Sequence, residues 1–91
     1  MKPDDICGQF VEAGLKIKVW EEDKFVFIEG TREALIAIGE LFIAQANYDI
    51  DDGFDIAPFC AGNAMFAPGS TTGIYISRVD ESPESVKRRG Q

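Results

Sequence analysis

The chain has 91 residues, 45% of them apolar, and a net charge of −7. This length suits one domain with a single core, and the apolar content excludes an intrinsically disordered chain. We expect one domain over residues 1–82 and a flexible basic tail over 83–91. Neither a signal peptide nor a membrane span is predicted, because the stretch Ala34–Ala46 is too short and too polar, so a cytoplasmic location is expected.

The acidic charge belongs to the domain. Residues 1–86 hold all 16 acidic and six basic residues. A domain of this charge repels phosphate backbones, so no nucleic-acid partner is expected. It favours encounter with a basic protein partner, and the simpler alternative is that the charge provides solubility.

The sequence offers few of the residues that catalysis commonly uses. The sequence contains no histidine, which removes the commonest general base and the commonest zinc ligand. Cys7 and Cys60 are interpreted as two reduced thiols, with Cys60 partly buried, and a single disulfide is the alternative. We therefore predict no enzyme activity and no cofactor.

The first predicted elements are a helix and a hairpin. Pro3 with two aspartates opens a short helix over residues 3–13 that Gly14 ends, and a strand is the alternative. Residues 16–20 and 25–28 alternate as two strands. A two-residue loop at Glu22 and Asp23 places Trp20 opposite Phe25, and a longer loop remains open.

In that register the hairpin has two different faces. One carries four β-branched residues, Ile17, Val19, Val26 and Ile28. The other carries the aromatic residues, flanked by lysines and Glu29, because side chains alternate along a strand.

A long helix follows, with Thr31 as its N-cap, and runs to about Asn47. Its apolar residues spread widely around the axis, so we expect burial on more than one flank. Gly39 in its middle costs about 1 kcal/mol relative to alanine. A close helix–strand or helix–helix approach would account for the glycine.

The last third of the chain predicts two strands separated by turns. Residues 54–59 form the first strand, which Pro58 ends or places at an edge. The Gly/Ser/Thr segment 68–73 is interpreted as a hairpin or crossover turn, and residues 74–79 form the last strand.

Together these elements predict an α+β fold. It has one antiparallel sheet of about four strands, one main helix on a face in ββαββ order, and a short N-terminal helix. The predicted core consists of Ile17, Val19, Val26, Ile28, Leu35, Ile38, Phe42, Ile74 and Ile76.

An acidic turn follows the long helix. Asp49, Asp51 and Asp55 lie within seven positions, but neither possible register matches a calcium-binding EF-hand loop. We interpret them as a solvated helix exit and predict no metal site, with these acids as the candidates for a weak ion or small-ligand site.

The aromatic side of the hairpin is the predicted partner-binding surface. It combines Trp20, Phe25 and Phe27 with Lys18, residue types common among interface hot spots. Three alternatives remain for what packs over this surface: the N-terminal segment of the same chain, a second copy in a homodimer, or a different protein.

The strand and helix over residues 25–46, followed by the turn and strand over 69–78, resemble small bacterial immunity proteins, which neutralise toxins of polymorphic systems. The resemblance rests on a strand ending in Glu-Gly, a helix with spaced apolar residues and a final strand after a Gly/Ser turn. It implies a protein-binding module whose acidic surface blocks a basic toxin enzyme. A structural homo-oligomeric domain is the alternative, followed by a carboxylate-based binder of metal or small ligands.

Overall fold

A computed structural model describes residues 2–50 and 52–79. It contains α1 (Pro3–Glu12), β1 (Ile17–Glu22), β2 (Phe25–Gly30), α2 (Arg32–Ala46), β3 (Gly53–Ile56), a 3₁₀ helix (Asn63–Met65) and β4 (Ile74–Ser77). The α+β class is confirmed, and the predicted tail 83–91 lies outside the described residues. Within these residues, none of the helices has the length and apolarity required to cross a bilayer.

The strands form two sheets instead of the predicted one. β1 pairs with β2, and β3 pairs with β4, each pair antiparallel. The second edge of β1 is occupied by segment 66–72, which has little strand character because Pro68 lacks an N–H and glycine follows it. With that edge occupied, the four-residue strands β3 and β4 pair with each other.

Segment 66–72 is attached to β1 by several hydrogen bonds. Ala67 N–H donates to the Ile17 carbonyl over 2.6 Å, and Thr71 N–H donates to the Val19 carbonyl over 2.8 Å. The Ser70 hydroxyl accepts a bond from Val19 N–H at 3.1 Å and donates to the Ala67 carbonyl at 2.8 Å. The predicted turn therefore acts as an irregular third strand along β1.

α1 begins and ends as the sequence predicts. Pro3 is its first residue, and the Asp5 carboxylate accepts a bond from the Lys2 backbone N–H at 3.2 Å. Gly14 follows with φ of 73°, a conformation that favours glycine. Ile6 and Phe10 are buried in the common core, where α1 packs against α2.

The hairpin has the predicted faces but a different register. Its two-residue loop is Asp23–Lys24, with φ of 52° and 70°, so Trp20 lies opposite Phe27 and Val19 lies opposite Ile28. The predicted loop at Glu22 and Asp23 is therefore wrong. Each residue of β1 pairs with a residue two positions further along β2 than predicted. A shift of two keeps every side chain on its face, because side chains alternate with a period of two.

α2 confirms the predicted helix and its cap. The Thr31 hydroxyl accepts a bond from Ala34 N–H at 3.2 Å. Only one stripe of α2 is fully buried, and it consists of Ala34, Ile38, Leu41 and Gln45. The expected burial on more than one flank is therefore wrong for the flank that carries Leu35 and Phe42, which are each 44% exposed.

The core prediction is correct at its centre and wrong at its edge. Ile17, Val19 and Ile38 are buried, and Ile74 and Ile76 are partly buried against the same cluster. Val26 and Ile28 are 57% and 39% exposed because β2 is the outer strand of its sheet. Their places are taken by residues that sequence analysis left out, namely Ile6, Phe10, Ala34, Leu41, Ile56, Met65 and Phe66.

The hairpin loop supplies a stability prediction. Lys24 has a left-handed backbone, which costs a residue with a Cβ about 1–2 kcal/mol and costs glycine almost nothing. We expect Lys24→Gly to raise the free energy of unfolding by about 1 kcal/mol in urea denaturation. The matched change Glu22→Gly, two positions earlier in the extended backbone of β1, should lower it. Equal effects of the two changes would contradict this account of the loop.

Candidate protein-binding surface

Three aromatic rings form a continuous cluster on the hairpin. The Trp20 and Phe27 rings stack across the two strands, with centroids 5.0 Å apart and planes within 10°. The Phe25 ring meets Phe27 edge to face at 6.5 Å and 72°. The cross-strand pairing of Trp20 with Phe27 creates the stack, since opposed residues of an antiparallel pair share a face.

Lys18 completes this surface, which we call the aromatic face. Its Nζ lies 4.8 Å from the centroid of the Trp20 ring, a cation–π geometry. Segment 66–72 lies against the lysine stem, and a Cβ built at Gly69 would approach Lys18 Cε within 2.9 Å. Gly69 has φ of 93°, so both its conformation and the space beside it suit glycine.

The aromatic face is not covered by the N-terminal segment. α1 packs against α2 and the 3₁₀ helix. Phe25 is 67% exposed and Phe27 is 36% exposed, while Trp20 is half-buried. Two of the three alternatives from sequence therefore remain for what packs over the aromatic face: a second copy of the chain or a different protein.

The chemistry of the aromatic face suits binding. Stacked rings on a two-stranded scaffold present apolar area at low conformational cost, and one lysine adds a directional charge. Tryptophan surrounded by other aromatic side chains is typical of binding hot spots. Contiguous exposed apolar patches of this kind often mark interaction sites.

The acidic turn after α2 is organised by Arg78. The guanidinium Nη1 lies 3.1 Å from Asp49 Oδ1 and donates to the Ala46 carbonyl over 3.1 Å, and Nη2 lies 3.6 Å from Asp52 Oδ1. Arg78 N–H also donates to the Asp52 carbonyl. A cation at the C-terminus of α2 complements the helix dipole, so these acids have a structural contact.

The other acidic candidates do not join this contact. Asp55 lies in β3 opposite Tyr75 and is exposed, and Asp51 lies outside the described residues. Over residues 2–50 and 52–79, no group of three acidic, cysteine or histidine side chains is close enough to hold a metal ion.

The two thiols are free, and their exposure differs from expectation. Cys60 is exposed, contrary to the predicted partial burial, because it lies in the turn that follows β3, whereas Cys7 is half-buried. Burial and, to a smaller extent, the charge of Asp4 raise the pKa of the Cys7 thiol to about 11. Cys7 is therefore a protonated thiol at neutral pH and a poor nucleophile.

Sequence analysis missed two residues that organise these sites. Arg78 ties the last strand to the end of α2, although its place in the predicted strand 74–79 gave no sign of a partner 29 positions earlier. Gly69 was assigned to a turn, and its contact with Lys18 depends on the path of segment 66–72. No family model, curated protein or solved structure matches this chain.

The Arg78 contact predicts a stability effect. Arg78→Met should lower the free energy of unfolding by about 1–3 kcal/mol, because the Ala46 carbonyl and Asp49 lose a hydrogen-bond donor and Asp52 loses its ion pair. Asp49→Asn should cost less than about 1 kcal/mol, since the Asp49 side chain is 91% exposed. Arg32→Met, in the first turn of α2, is the matched control and should not destabilise. Equal losses in Arg78→Met and Arg32→Met would show that Arg78 has no specific role.

The raised pKa of Cys7 predicts slow alkylation. In a Cys60→Ser variant, whose single thiol is Cys7, iodoacetamide should react about a hundredfold more slowly at pH 8 than with a thiol of pKa 9.0. The thiolate fraction grows as pH rises, so the rate should keep increasing up to about pH 11. The Cys7→Ser variant, which retains the exposed Cys60, provides the comparison. A rate for Cys7 that levels off near pH 9 would contradict the assignment.

Proposed function

We propose that the chain is a non-catalytic protein-binding module that uses the aromatic face, and that it acts as an immunity protein against a basic toxin enzyme. The observation that carries the proposal is the exposed stack of Trp20, Phe27 and Phe25. These rings gain free energy when a partner removes them from water, on the order of 25 cal/mol per Å² of apolar area.

The charge of the domain supports a basic partner. Residues 1–86 carry ten more acidic than basic residues. Such an excess accelerates the approach of a positively charged protein and slows that of another acidic one. Enzymes that act on nucleic acids carry positive surfaces for their substrate, so a toxin of this class would be complementary.

The resemblance to immunity proteins supports neutralisation of a toxin as the biological role. It rests on the Glu29–Gly30 strand end, the apolar spacing of α2 and the final strand, and members of that group bind and do not catalyse. The residues themselves support a binder, because the sequence has no histidine and Cys7 is protonated. Asp49 and Asp52 face Arg78, which makes a carboxylate-based ligand or metal site the weaker alternative.

The test is binding to the protein encoded beside this chain, measured by calorimetry. We expect a one-to-one complex that Trp20→Ala or Phe25→Ala weakens by at least about tenfold. Raising the salt concentration should weaken the complex mainly through a slower association rate. Trp20 is the single tryptophan, so its fluorescence reports directly on the aromatic face.

Phe59→Ala is the matched control for Phe25→Ala, since Phe59 is also a phenylalanine, is 75% exposed and lies in the turn after β3. It should leave the affinity unchanged. Complex formation without a change in Trp20 fluorescence, or equal losses in the Phe25 and Phe59 variants, would reject the aromatic face as the binding surface. A neighbouring protein that neither binds nor is toxic would count against the immunity function.

A further inference from the structure

A second apolar surface lies along α2, separate from the aromatic face. Leu35 and Phe42 stand two turns apart with Gly39 between them, and we call this stripe the outer flank of α2. Both large side chains are 44% exposed, and a Cβ built at Gly39 meets no atom within 4 Å. No contact within the described chain therefore requires glycine here, although glycine weakens the helix relative to alanine.

The outer flank lies on the side of the second edge of β2, which pairs with no strand within residues 2–50 and 52–79 and which we call the free edge. On its opposite flank α2 packs against α1, where Ala37 and Ala44 are partly buried. α1 in turn contacts the 3₁₀ helix, which leads into Phe66 on the outer edge of β1. Since α1 and segment 66–72 close the β1 side, the outer flank faces the β2 side.

The free edge of β2 has hydrogen-bonding groups that point away from the hairpin. Ile17 and Val19 direct their carbonyls away from β2, to Ala67 and Thr71. Hydrogen-bonded and non-hydrogen-bonded pairs alternate along an antiparallel ladder. The residues opposite, Gly30 and Ile28, therefore point their own N–H and C=O groups outward, as does Val26 two positions away.

This edge lacks the devices that usually protect an edge strand. Between Phe25 and Gly30 it has a single charge, Glu29, and neither proline nor an inward-facing lysine. Val26 and Ile28 are 57% and 39% exposed on the α2 side of the strand. Backbone donors, backbone acceptors and apolar side chains thus coincide on one side of the molecule.

We propose that a second copy of the chain covers this side, through antiparallel pairing of β2 with β2 and contact between the two outer flanks. A twofold axis perpendicular to the sheet at Phe27 places Val26 opposite Ile28 of the second copy and Phe27 opposite Phe27. The outward-pointing groups then meet each other, and no like charges oppose one another from residue 24 to residue 30. The result is a four-stranded sheet in the order β1-β2-β2-β1.

The proposed dimer requires each α2 to lie above the centre of its own hairpin, and the strand and helix spacings then agree. An axis perpendicular to the sheet keeps both α2 helices on the same face. Each hairpin occupies two strands about 4.8 Å apart, so the centres of neighbouring hairpins lie roughly 10 Å apart. Packed helices are separated by about 8–10 Å, and Gly39 at the middle of the outer flank permits the closer part of that range.

With all four side chains fully buried, the area reaches the lower limit for a specific dimer. Leu35, Phe42, Val26 and Ile28 each present very roughly 100 Å² in the single chain, so two copies bury on the order of 800 Å² of side chain. The paired strand edges bring the total to about 1,000 Å², at which specific interfaces begin. This inference does not depend on the proposed function, because the aromatic face points to the other side of the sheet.

Sedimentation velocity over a wide concentration range tests the proposal. The wild-type chain should have twice the mass of a 10.0 kDa monomer, with a dimer fraction that rises with concentration. Val26→Lys and Leu35→Glu should each shift the protein to monomer, since both side chains are exposed in the single chain and each change places a charge in the apolar part of the interface. Phe59→Lys is the matched control for Val26→Lys and should remain dimeric.

Two results would overturn the proposal. One is a wild-type chain that stays monomeric throughout the concentration range, which needs no variant to fold. The other is a dimer that survives Val26→Lys and Leu35→Glu but is lost in Phe25→Ser, which would assign the interface to the aromatic face. The proposed function is tested separately, because Trp20→Ala should weaken partner binding and leave the dimer intact.

Discussion

The backbone of β1 is hydrogen-bonded along both of its edges, to β2 on one side and to segment 66–72 on the other. Ile17 and Val19 are completely buried between these neighbours and the helices. Because a strand has two edges, β1 cannot accept another partner, and β2 is the regular strand of this sheet whose second edge pairs with no described strand. Segment 66–72 therefore determines both the division into two sheets and the position of the open edge.

The same segment also determines the geometry of the aromatic face. Its path along β1 brings Gly69 against the side chain of Lys18, and the lysine ammonium then lies above Trp20. The surface thus depends on two parts of the chain about 50 positions apart in sequence. A hairpin alone would place the rings together, but it would leave the lysine free to extend into water.

Local sequence signals predicted the elements that have local causes. The N-cap Thr31, the first turn of α1 and the alternation in the hairpin depend on neighbouring residues, and all of them are present in the structure. The register was wrong because Lys24 adopts a left-handed conformation that its residue type does not indicate. The two faces could nevertheless be predicted, since an error of two positions preserves the side of every residue.

The composition of the core could not be predicted in the same way. α2 is apolar over most of its circumference, so its pattern does not identify the buried stripe. That choice depends on where α1, Phe66 and Met65 pack, which are contacts between distant parts of the chain. The aromatic residues of the candidate site were predicted from alternation, whereas Gly69 and Arg78 act through contacts that no local pattern encodes.

Strand β2 connects the two surfaces for which we propose roles. Its side chains alternate, so Val26 and Ile28 face the α2 side while Phe25 and Phe27 belong to the aromatic face. A dimer paired through β2 would leave the aromatic face open and would bring two copies of it together at the twofold axis. Each copy of Phe27 would then lie beside the other, and the two ring clusters would form one continuous surface with a lysine at each end. A partner bound to either copy would gain apolar area without further ordering of the chain, because the Trp20 and Phe27 rings are already stacked on each other.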